Sequence, residues 1–358
     1  MDKKNYFQKK VNAIEVSDKK PVSVLLEEMA NTGFQGKKLG EIVNVWENMI
    51  RDENTVILLG YAGSLSTTGQ WKIIKWLIEN RFIDILVSTG ANISEDIVEA
   101  MGFSYWQGDH KENDIDLFHS DLNRYYDVYG KESDYMEMTE MIADFYMSSL
   151  RQNHPYSSRE ILSMFGQWLL KKGINSIVAT AAKHNVPVFC PAIVDSPYGD
   201  AGLIAKSKNF NLIIDNMKDY IEFMRLSERA KDTGVIYIGG GVPKDFIQLF
   251  AVTADLLYAD RNVPGRKGIT RREGVKEKWE NYYPHKYAIQ ISSDLPQWGG
   301  LSGCTFEEAM SWGKESADAL KAQCYCDATI ALPIVSHALN ERIKKRPAIP
   351  DFSGAFSN

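Results

Sequence analysis

The feature of this sequence that most limits its possible folds is a regular alternation of short apolar runs with amphipathic segments. The runs are rich in Val and Ile and have the length of strands that are buried on both faces. The predicted strands are residues 55–63, 83–90, 186–194, 210–216, 234–241 and 287–293, and the predicted helices include residues 69–80, 158–173 and 219–234. The alternation predicts an α/β fold: a doubly wound, mostly parallel, Rossmann-like sheet with helices on both faces.

The same pattern divides the chain into three parts. Residues 51–345 are predicted to form one α/β domain that carries the chemistry. Residues 1–50 form an N-terminal helical extension, with two helices around a glycine-containing turn, and residues 346–358 form a C-terminal tail. Residues 104–157 are charged and aromatic without clear strand alternation, which indicates an insertion at the sheet edge.

Composition excludes several classes of protein. The formal net charge of -6 and scattered lysines offer no basic surface for a nucleic acid. No apolar stretch is long enough to span a bilayer and the first residues lack a signal-peptide core, so we expect a cytoplasmic protein without a membrane partner. Four cysteines are too few for a disulfide scaffold, and Cys324 and Cys326 have no second ligand pair, so no metal site is expected.

The turns that follow the predicted strands contain small residues and carboxylates. In a parallel sheet these turns meet at one edge, where ligands bind. Residues 60–69 and 88–96 are rich in Gly, Ser and Thr and open helices, residues 195–200 carry two carboxylates, and residues 239–241 are three glycines. Alone, the first turn is explained about as well by tight packing as by a nucleotide, and each carboxylate by its helix or turn. The three glycines allow close approach of a ligand or of another backbone segment. Together the turns indicate a site for a dinucleotide.

A last candidate site lies in residues 305–322, which are predicted to form an amphipathic helix with Thr305 as its N-cap. A lysine on such a helix is normally a solvated surface residue. Trp312 and Gly313 beside Lys314 argue otherwise, because an indole is costly to expose and glycine weakens a helix. Desolvation beside the indole would favour a neutral amine that attacks a carbonyl or imine carbon.

The SWGK segment that contains Trp312 and Lys314 resembles the signature of deoxyhypusine synthases, which carry it around the lysine of an enzyme-imine intermediate. The resemblance extends to the turns at residues 60–69, 88–96, 191–200 and 239–244 and to the CDAT segment, over about residues 20–345. It implies that NAD oxidises spermidine, that a four-carbon imine moves onto Lys314, and that an acceptor amine then takes it. It also implies a homotetramer and an N-terminal segment, within residues 1–18, that covers the site entrance.

The resemblance also implies a role for individual residues. Lys314 is the implied catalytic nucleophile. The implied NAD-binding residues are Gly63, Ser64, Leu65, Ser66, Thr67, Thr89, Gly90, Ala91, Asp195, Gly240, Ser293, Asp294, Asp327 and Ala328. The implied polyamine-binding residues are Glu95, Asp200, Gly299, Glu308 and Trp312.

Three positions depart from the family pattern. Asp245 and Phe246 replace a His-His pair, which makes Asp245 the candidate base. Leu249 replaces an asparagine, and Leu301 replaces an aspartate that binds the substrate. These changes favour a small amine acceptor over a protein lysine, and specifically transfer onto putrescine to give homospermidine.

Four alternatives remain open from the sequence. The acceptor can be a lysine of a translation factor, or the substrate can be a guanidino compound such as agmatine. The protein can also be a non-catalytic NAD- or polyamine-binding protein, or a plain dehydrogenase that releases NADH. Lys314 beside Trp312 argues against a binding protein, because a sensor needs no desolvated amine.

Overall fold

A computed structural model of the chain describes residues 8–253, 256–257, 284–352 and 354–356. Its central sheet has six strands. They are β1 (Thr55–Tyr61), β2 (Ile85–Ser88), β3 (Val188–Phe189), β4 (Asp232–Ile238), β5 (His285–Ser292) and β6 (Glu315–Tyr325). All neighbouring strands are parallel, and their order across the sheet is β6-β5-β4-β1-β2-β3. The doubly wound Rossmann-like fold predicted from the alternation is confirmed.

Thirteen α-helices surround the sheet in the part of the chain that the structure describes. They are α1 (Val22–Ala30), α2 (Phe34–Arg51), α3 (Trp71–Glu79), α4 (Glu95–Ala100), α5 (Asp114–His119), α6 (Glu132–Ser149), α7 (Ser158–Lys171), α8 (Ile177–Lys183), α9 (Pro197–Ser207), α10 (Asn216–Arg225), α11 (Gly241–Thr253), α12 (Phe306–Ser311) and α13 (Ala328–Arg342). Within these described helices, none combines the length and apolarity that a bilayer crossing requires.

The sheet is covered by apolar side chains on both faces. In β1, Ile57 and Leu59 join the core on one face, whereas Val56 and Leu58 join a second cluster on the other. This follows from the strand geometry, since successive side chains point to opposite faces. The second cluster contains Phe223 of α10 and is where α11 packs.

Helices α1 and α2 pack against each other and against α13, and α2 also packs against β6. Arg342, in the last turn of α13, connects that helix to α1 and α2. Its guanidinium donates to Asn44 Oδ1 at 2.7 Å and to the Ser23 carbonyl at 3.0 Å. Residues 8–20 have no regular secondary structure. Of the segment implied to cover the site, residues 1–7 lie outside the described residues.

Four predicted elements differ from the structure. The predicted helix at residues 219–234 ends as an α-helix at Arg225, and its last residues belong to β4 (Asp232–Ile238). The insertion at residues 104–157 contains a three-stranded antiparallel sheet, formed by Trp106–Gln107, Leu122–Tyr125 and Val128–Lys131, that the sequence did not reveal. Within the predicted strand at residues 210–216, only Ile213–Ile214 is extended, and it pairs with Pro155–Tyr156 outside the main sheet. Ile213 is 38% exposed, unlike the residues of β1 and β2 in the central sheet, which are buried on both faces.

The predicted helix over residues 305–322 is also wrong. Thr305 is the N-cap, as expected, and accepts from the Glu308 amide at 3.1 Å, but the helix ends at Ser311. Gly313 has φ = 85°, a left-handed conformation that terminates a helix. Residues 315–325 then form β6, because hydrogen bonding to β5 outweighs the helical propensity of their Ala, Leu and Lys residues.

Candidate active site

The turns after β1, β2 and β3 meet at the carboxyl edge of the sheet. Thr89 Oγ1 donates to the Gly63 carbonyl at 2.7 Å, which joins the first two turns. Gly90 lies against Ser196 so closely that an added Cβ would be 2.2 Å from Ser196 Oγ. The first turn therefore contacts the second, and the second contacts the third, as the strand order predicts.

Asn92 organises these turns, and sequence reasoning missed it. Its side chain is fully buried, and its Oδ1 accepts from the Leu65 amide at 2.7 Å and from the Ser66 amide at 3.3 Å. Its Nδ2 donates to Thr89 Oγ1 at 3.1 Å and to the Tyr61 carbonyl at 3.3 Å. The sequence suggested that the backbone amides of this turn could bind a phosphate. Two of them, those of Leu65 and Ser66, are instead hydrogen-bonded within the protein.

Replacing Asn92 with Ala is expected to destabilise the protein by at least about 2 kcal/mol, because it leaves several buried polar groups without a partner. Chemical denaturation of wild type and variant measures this. Asn80→Ala is the control, since Asn80 is exposed and its side chain bonds only the preceding turn of its own helix. Equal stability of the two variants would show that the Asn92 contacts contribute little.

Glu95 is a buried carboxylate beside the first turn. Ser64 Oγ donates to its Oε2 at 2.6 Å, and burial raises its pKa to about 7. Its carbonyl accepts from Tyr105 Oη at 3.2 Å. Nearby, Tyr135 Oη donates to Asp200 Oδ2 at 3.3 Å. An ammonium group close to Glu95 would favour its ionised form.

Asp96, the next residue, has a structural role. It is fully buried, and its Oδ2 accepts from the Ile177 amide at 2.5 Å at the beginning of α8. The two neighbouring acids therefore have different surroundings. Glu95 lies beside the turn that carries Ser64, whereas Asp96 caps another helix.

The three-glycine turn after β4 provides room for another segment of the protein. A Cβ on Gly240 would lie 2.2 Å from the Ser302 Cα atom. Glycine at this position therefore allows the backbone at Ser302 to approach closely. Lys244, at the beginning of α11, is buried and donates to the carbonyls of Leu301 and Cys304, both at 2.9 Å. Burial lowers the pKa of Lys244 to about 8. The lysine therefore holds the 301–304 loop against α11.

Lys314 lies between α12 and β6, and its side chain is only 12% exposed. Its Nζ donates to Asp245 Oδ1 at 3.2 Å and to Gln248 Oε1 at 3.1 Å, both on α11. The Nζ is also 5.6 Å from the ring centroid of Trp312, although that indole is 58% exposed. The amine is thus held by a carboxylate, an amide and an indole face.

The Lys314 side chain borders a cavity of about 210 Å³. This cavity brings together the implied substrate residues Gly299, Glu308 and Trp312 with Leu301, one of the positions that depart from the family. Cys304 and Ala309 complete the wall near the lysine. The cavity has room for a small aliphatic amine but offers few charged groups besides Glu308 and the neighbouring Asp245.

The remaining implied residues lie at the exposed carboxyl edge. Asp195, Ser293, Asp294 and Asp327 are exposed. Ser302 Oγ donates to Asp294, and Asp327 caps α13 by accepting from the Thr329 amide at 2.7 Å. No described contact joins Glu95 or Asp200 to Lys314. In one chain the implied residues therefore form two groups, one at the β1–β3 turns and one around Lys314.

Sequence reasoning also missed Gln248 and Glu315, which lie beside Lys314. Gln248 follows Asp245 by three residues on α11, a spacing that places both on one helical face. Glu315 is fully buried at the beginning of β6. Its significance was hidden because the segment was expected to be a helix, on which a glutamate would be unremarkable.

Comparison with known proteins gives consistent results. The family model for deoxyhypusine synthase matches residues 24–339. "Probable deoxyhypusine synthase 2" of Methanosarcina mazei is 44% identical over 95% of this chain and 92% of its own length. The protein of the same name from Archaeoglobus fulgidus is 45% identical over 87% of this chain and 95% of its own.

A more distant relative and a solved structure extend the comparison. "Deoxyhypusine synthase-like protein" of Chlorobaculum tepidum is 32% identical over 94% of this chain and 91% of its own. The crystal structure of a protein proposed to be a deoxyhypusine synthase from Entamoeba histolytica has a TM-score of 0.61 at 15% identity, covering 94% of this chain and 98% of that one, and so shares the fold. With its SWGK lysine buried beside a cavity and these relatives along nearly its whole length, the chain belongs to the deoxyhypusine synthase family.

Proposed function

We propose that this protein is an NAD-dependent aminobutyl transferase that takes a four-carbon amine from spermidine or putrescine and transfers it through Lys314 to a small amine, giving homospermidine. The observation that carries the proposal is the position of Lys314. Its amine borders a cavity of about 210 Å³, and the carboxylate of Asp245 lies 3.2 Å away. A lysine held in this way can form a covalent imine with a substrate.

The proposed covalent step needs a neutral amine on Lys314. Asp245 Oδ1 contacts the Nζ directly and is half-exposed, so it can take the proton and pass it to solvent. The nitrogen of Lys314 then adds to the imine carbon of the oxidised donor, and the C–N bond to the leaving amine breaks as that amine takes up a proton. The acceptor amine displaces Lys314 by the same exchange.

A cationic donor suits the charges near the lysine. Glu308 and Trp312 line the cavity and supply a carboxylate and an indole face to an ammonium group. Glu95 and Asp200 form a second acidic group that we propose binds another part of a polyamine. Burial of Glu95 makes its carboxylate costly to ionise without a cation, which favours a cationic partner there.

The turn after β1 fits a dinucleotide. Among the described residues, only Leu65, at 4.0 Å, comes near a Cβ added to Gly63, so the backbone there is open to a ligand. The exposed carboxylates of Asp195 and Asp327 can accept from ribose hydroxyls. We propose that NAD binds with these residues, Thr67, Thr89, Ala91, Ser293 and Ala328. When bound, it would accept a hydride from the donor and later return it.

Leu301 supports a small acceptor. Its side chain lies at the cavity where the family pattern places a carboxylate, so one charge partner of spermidine is missing there. The second candidate function is modification of a lysine on a protein, which the name of the Methanosarcina mazei relative favours. The family resemblance further supports a homotetramer in the cytoplasm, whose mass light scattering would measure.

The proposal is tested by incubating the protein with NAD and spermidine, with and without putrescine, and trapping with borohydride. The expected result is a four-carbon amine adduct mapped to Lys314 and homospermidine only when putrescine is present. An adduct that transfers to a translation factor but not to putrescine would establish the second candidate. No adduct with spermidine, putrescine or agmatine would exclude imine chemistry, and free NADH without an adduct would indicate a dehydrogenase.

Asp245→Asn is expected to slow adduct formation by about 10²-fold or more, because the base that contacts Lys314 is lost. Single-turnover trapping measures the rate. Asp318→Asn is the matched control, since Asp318 is an exposed acid on β6, the strand that Lys314 precedes. An unchanged rate in Asp245→Asn would assign proton transfer to another group.

A further inference from the structure

Glu315 is a buried acid that the proposed chemistry does not use. It follows Lys314 directly, and neither side-chain oxygen has a hydrogen bond of normal geometry within the described residues. It is fully buried at the first position of β6, opposite His285 on β5. Burial raises its pKa to about 7. A buried carboxylate without a close partner is destabilising, so its position calls for a physical explanation.

Gln248 connects this acid to Lys314. The lysine ammonium has only donors, so the atom that it contacts at 3.1 Å must be the amide oxygen of Gln248. The amide nitrogen of Gln248 is then left buried without an acceptor in good hydrogen-bond geometry among the described residues. Glu315 lies close enough for the Gln248 amide to lower its pKa in part. The buried amide nitrogen of Gln248 and the carboxylate of Glu315 therefore lie close together, and neither has another partner in good hydrogen-bond geometry among the described residues.

The charges around Glu315 agree with this pairing. Lys244 on α11, Lys314 and Lys321 all favour its ionised form. His285 is buried, and desolvation lowers its pKa to about 3, so its ring is neutral and adds no charge. Tyr237 on β4 also stays neutral, because burial raises its pKa well above the ordinary range. The carboxylate is therefore balanced by cations, of which Lys314 is the one joined to it through Gln248.

We infer that Glu315 is a positioning residue for Lys314, which acts by holding the Gln248 amide so that its oxygen accepts from the lysine amine. The inference rests on the proposed role of Lys314. If the Gln248 amide turned over, its nitrogen would face the ammonium, and the amine would lose one of its two hydrogen-bond partners. Glu315 opposes this turnover, because its carboxylate lies close to the amide group and attracts the amide nitrogen rather than the oxygen.

A double-mutant cycle tests the inference without polyamine or NAD. The variants are Glu315→Met, Gln248→Met and the double variant, with Glu315→Gln as the conservative change. The reaction is reductive methylation of Lys314 by formaldehyde and cyanoborohydride, followed by peptide mass across a range of pH. Asp219→Asn is the control, because Asp219 is a buried acid that caps α7, far along the chain from Lys314.

We expect Glu315→Met and Gln248→Met each to change the methylation rate of Lys314 by about tenfold, equivalent to about 1.4 kcal/mol, and the double variant to change it no further than either. Wild type should show an inflection near pH 7 that Glu315→Gln lacks, while Glu315→Gln otherwise keeps most of the wild-type rate. The inference would be overturned if the rate effects of the two single variants multiplied in the double variant. It would also be overturned if Asp219→Asn changed the methylation rate of Lys314 by the same factor. Wild type that methylates as described but traps no spermidine adduct would overturn the proposed function alone.

Discussion

Lys314→Arg is expected to abolish the trapped four-carbon adduct and to lower turnover by at least about 10³-fold, as the loss of a covalent nucleophile does. Arginine keeps the positive charge that pairs with Asp245, but its guanidinium stays protonated and cannot form the imine. The measurements are intact mass after borohydride trapping and homospermidine formation. Because the charge is kept, the variant should fold, and circular dichroism should confirm that it does.

Lys321→Arg is the matched control for this prediction. Lys321 lies on β6 only seven positions from Lys314, and its side chain is 22% exposed. It contacts Met310 Sδ at 3.0 Å and Glu307 at 3.9 Å rather than the cavity. We expect wild-type adduct in this variant. An adduct that persists in Lys314→Arg but disappears in Lys321→Arg would show that the nucleophile is Lys321 and not Lys314.

Arg346→Met is expected to destabilise the protein by about 3–5 kcal/mol, because it leaves a buried carboxylate without its main partner. Arg346 is 3% exposed, and its Nη1 is 2.7 Å from Asp84 Oδ1. Its Nη2 also donates to the Thr55 carbonyl at 2.7 Å, at the first residue of β1. Within the part of the chain that the structure describes, the cationic partner that Asp84 then retains is Arg81, at 3.4 Å. Urea denaturation followed by circular dichroism measures the loss.

Two further variants give this prediction a control and a rescue. Lys344→Met removes an exposed cation whose Nζ lies 3.4 Å from the Asn340 carbonyl, and it should change stability by less than about 0.5 kcal/mol. Adding Asp84→Asn to Arg346→Met should recover part of the loss, because the uncompensated charge is then gone. If Arg346→Met is as stable as Lys344→Met, the buried ion pair contributes little.

The tail that begins at residue 346 also contributes side chains to the core. Phe352 and Ala355 are buried in the second apolar cluster, on the face of the sheet where α11 packs. Phe356 packs beside them, and the Arg159 guanidinium lies 4.2 Å from its ring centroid. These contacts could not be predicted from the sequence, because the tail lacks the periodicity that marks a strand or helix.

The fold could be predicted from the sequence because its signal is local and repeated. Strands such as Thr55–Tyr61 and Asp232–Ile238 are largely buried on both faces, so most of their residues are apolar, and the helices between them have apolar faces. Those patterns were enough to predict the parallel sheet and the edge at which its turns meet. The short hairpin at residues 122–131 was missed, because its strands are partly exposed and carry no such pattern.

The sequence by itself also singled out Lys314 as the candidate nucleophile, through its neighbours Trp312 and Gly313 and through the family signature. Only the tertiary structure decided that this lysine precedes a strand and contacts Asp245 and Gln248, which lie more than sixty residues earlier. Likewise, only the structure showed that the Asn92 side chain accepts hydrogen bonds from two backbone amides of the first turn. Local patterns specify strands and helices, but the partners of a buried polar group are chosen by packing between segments that are distant in the chain.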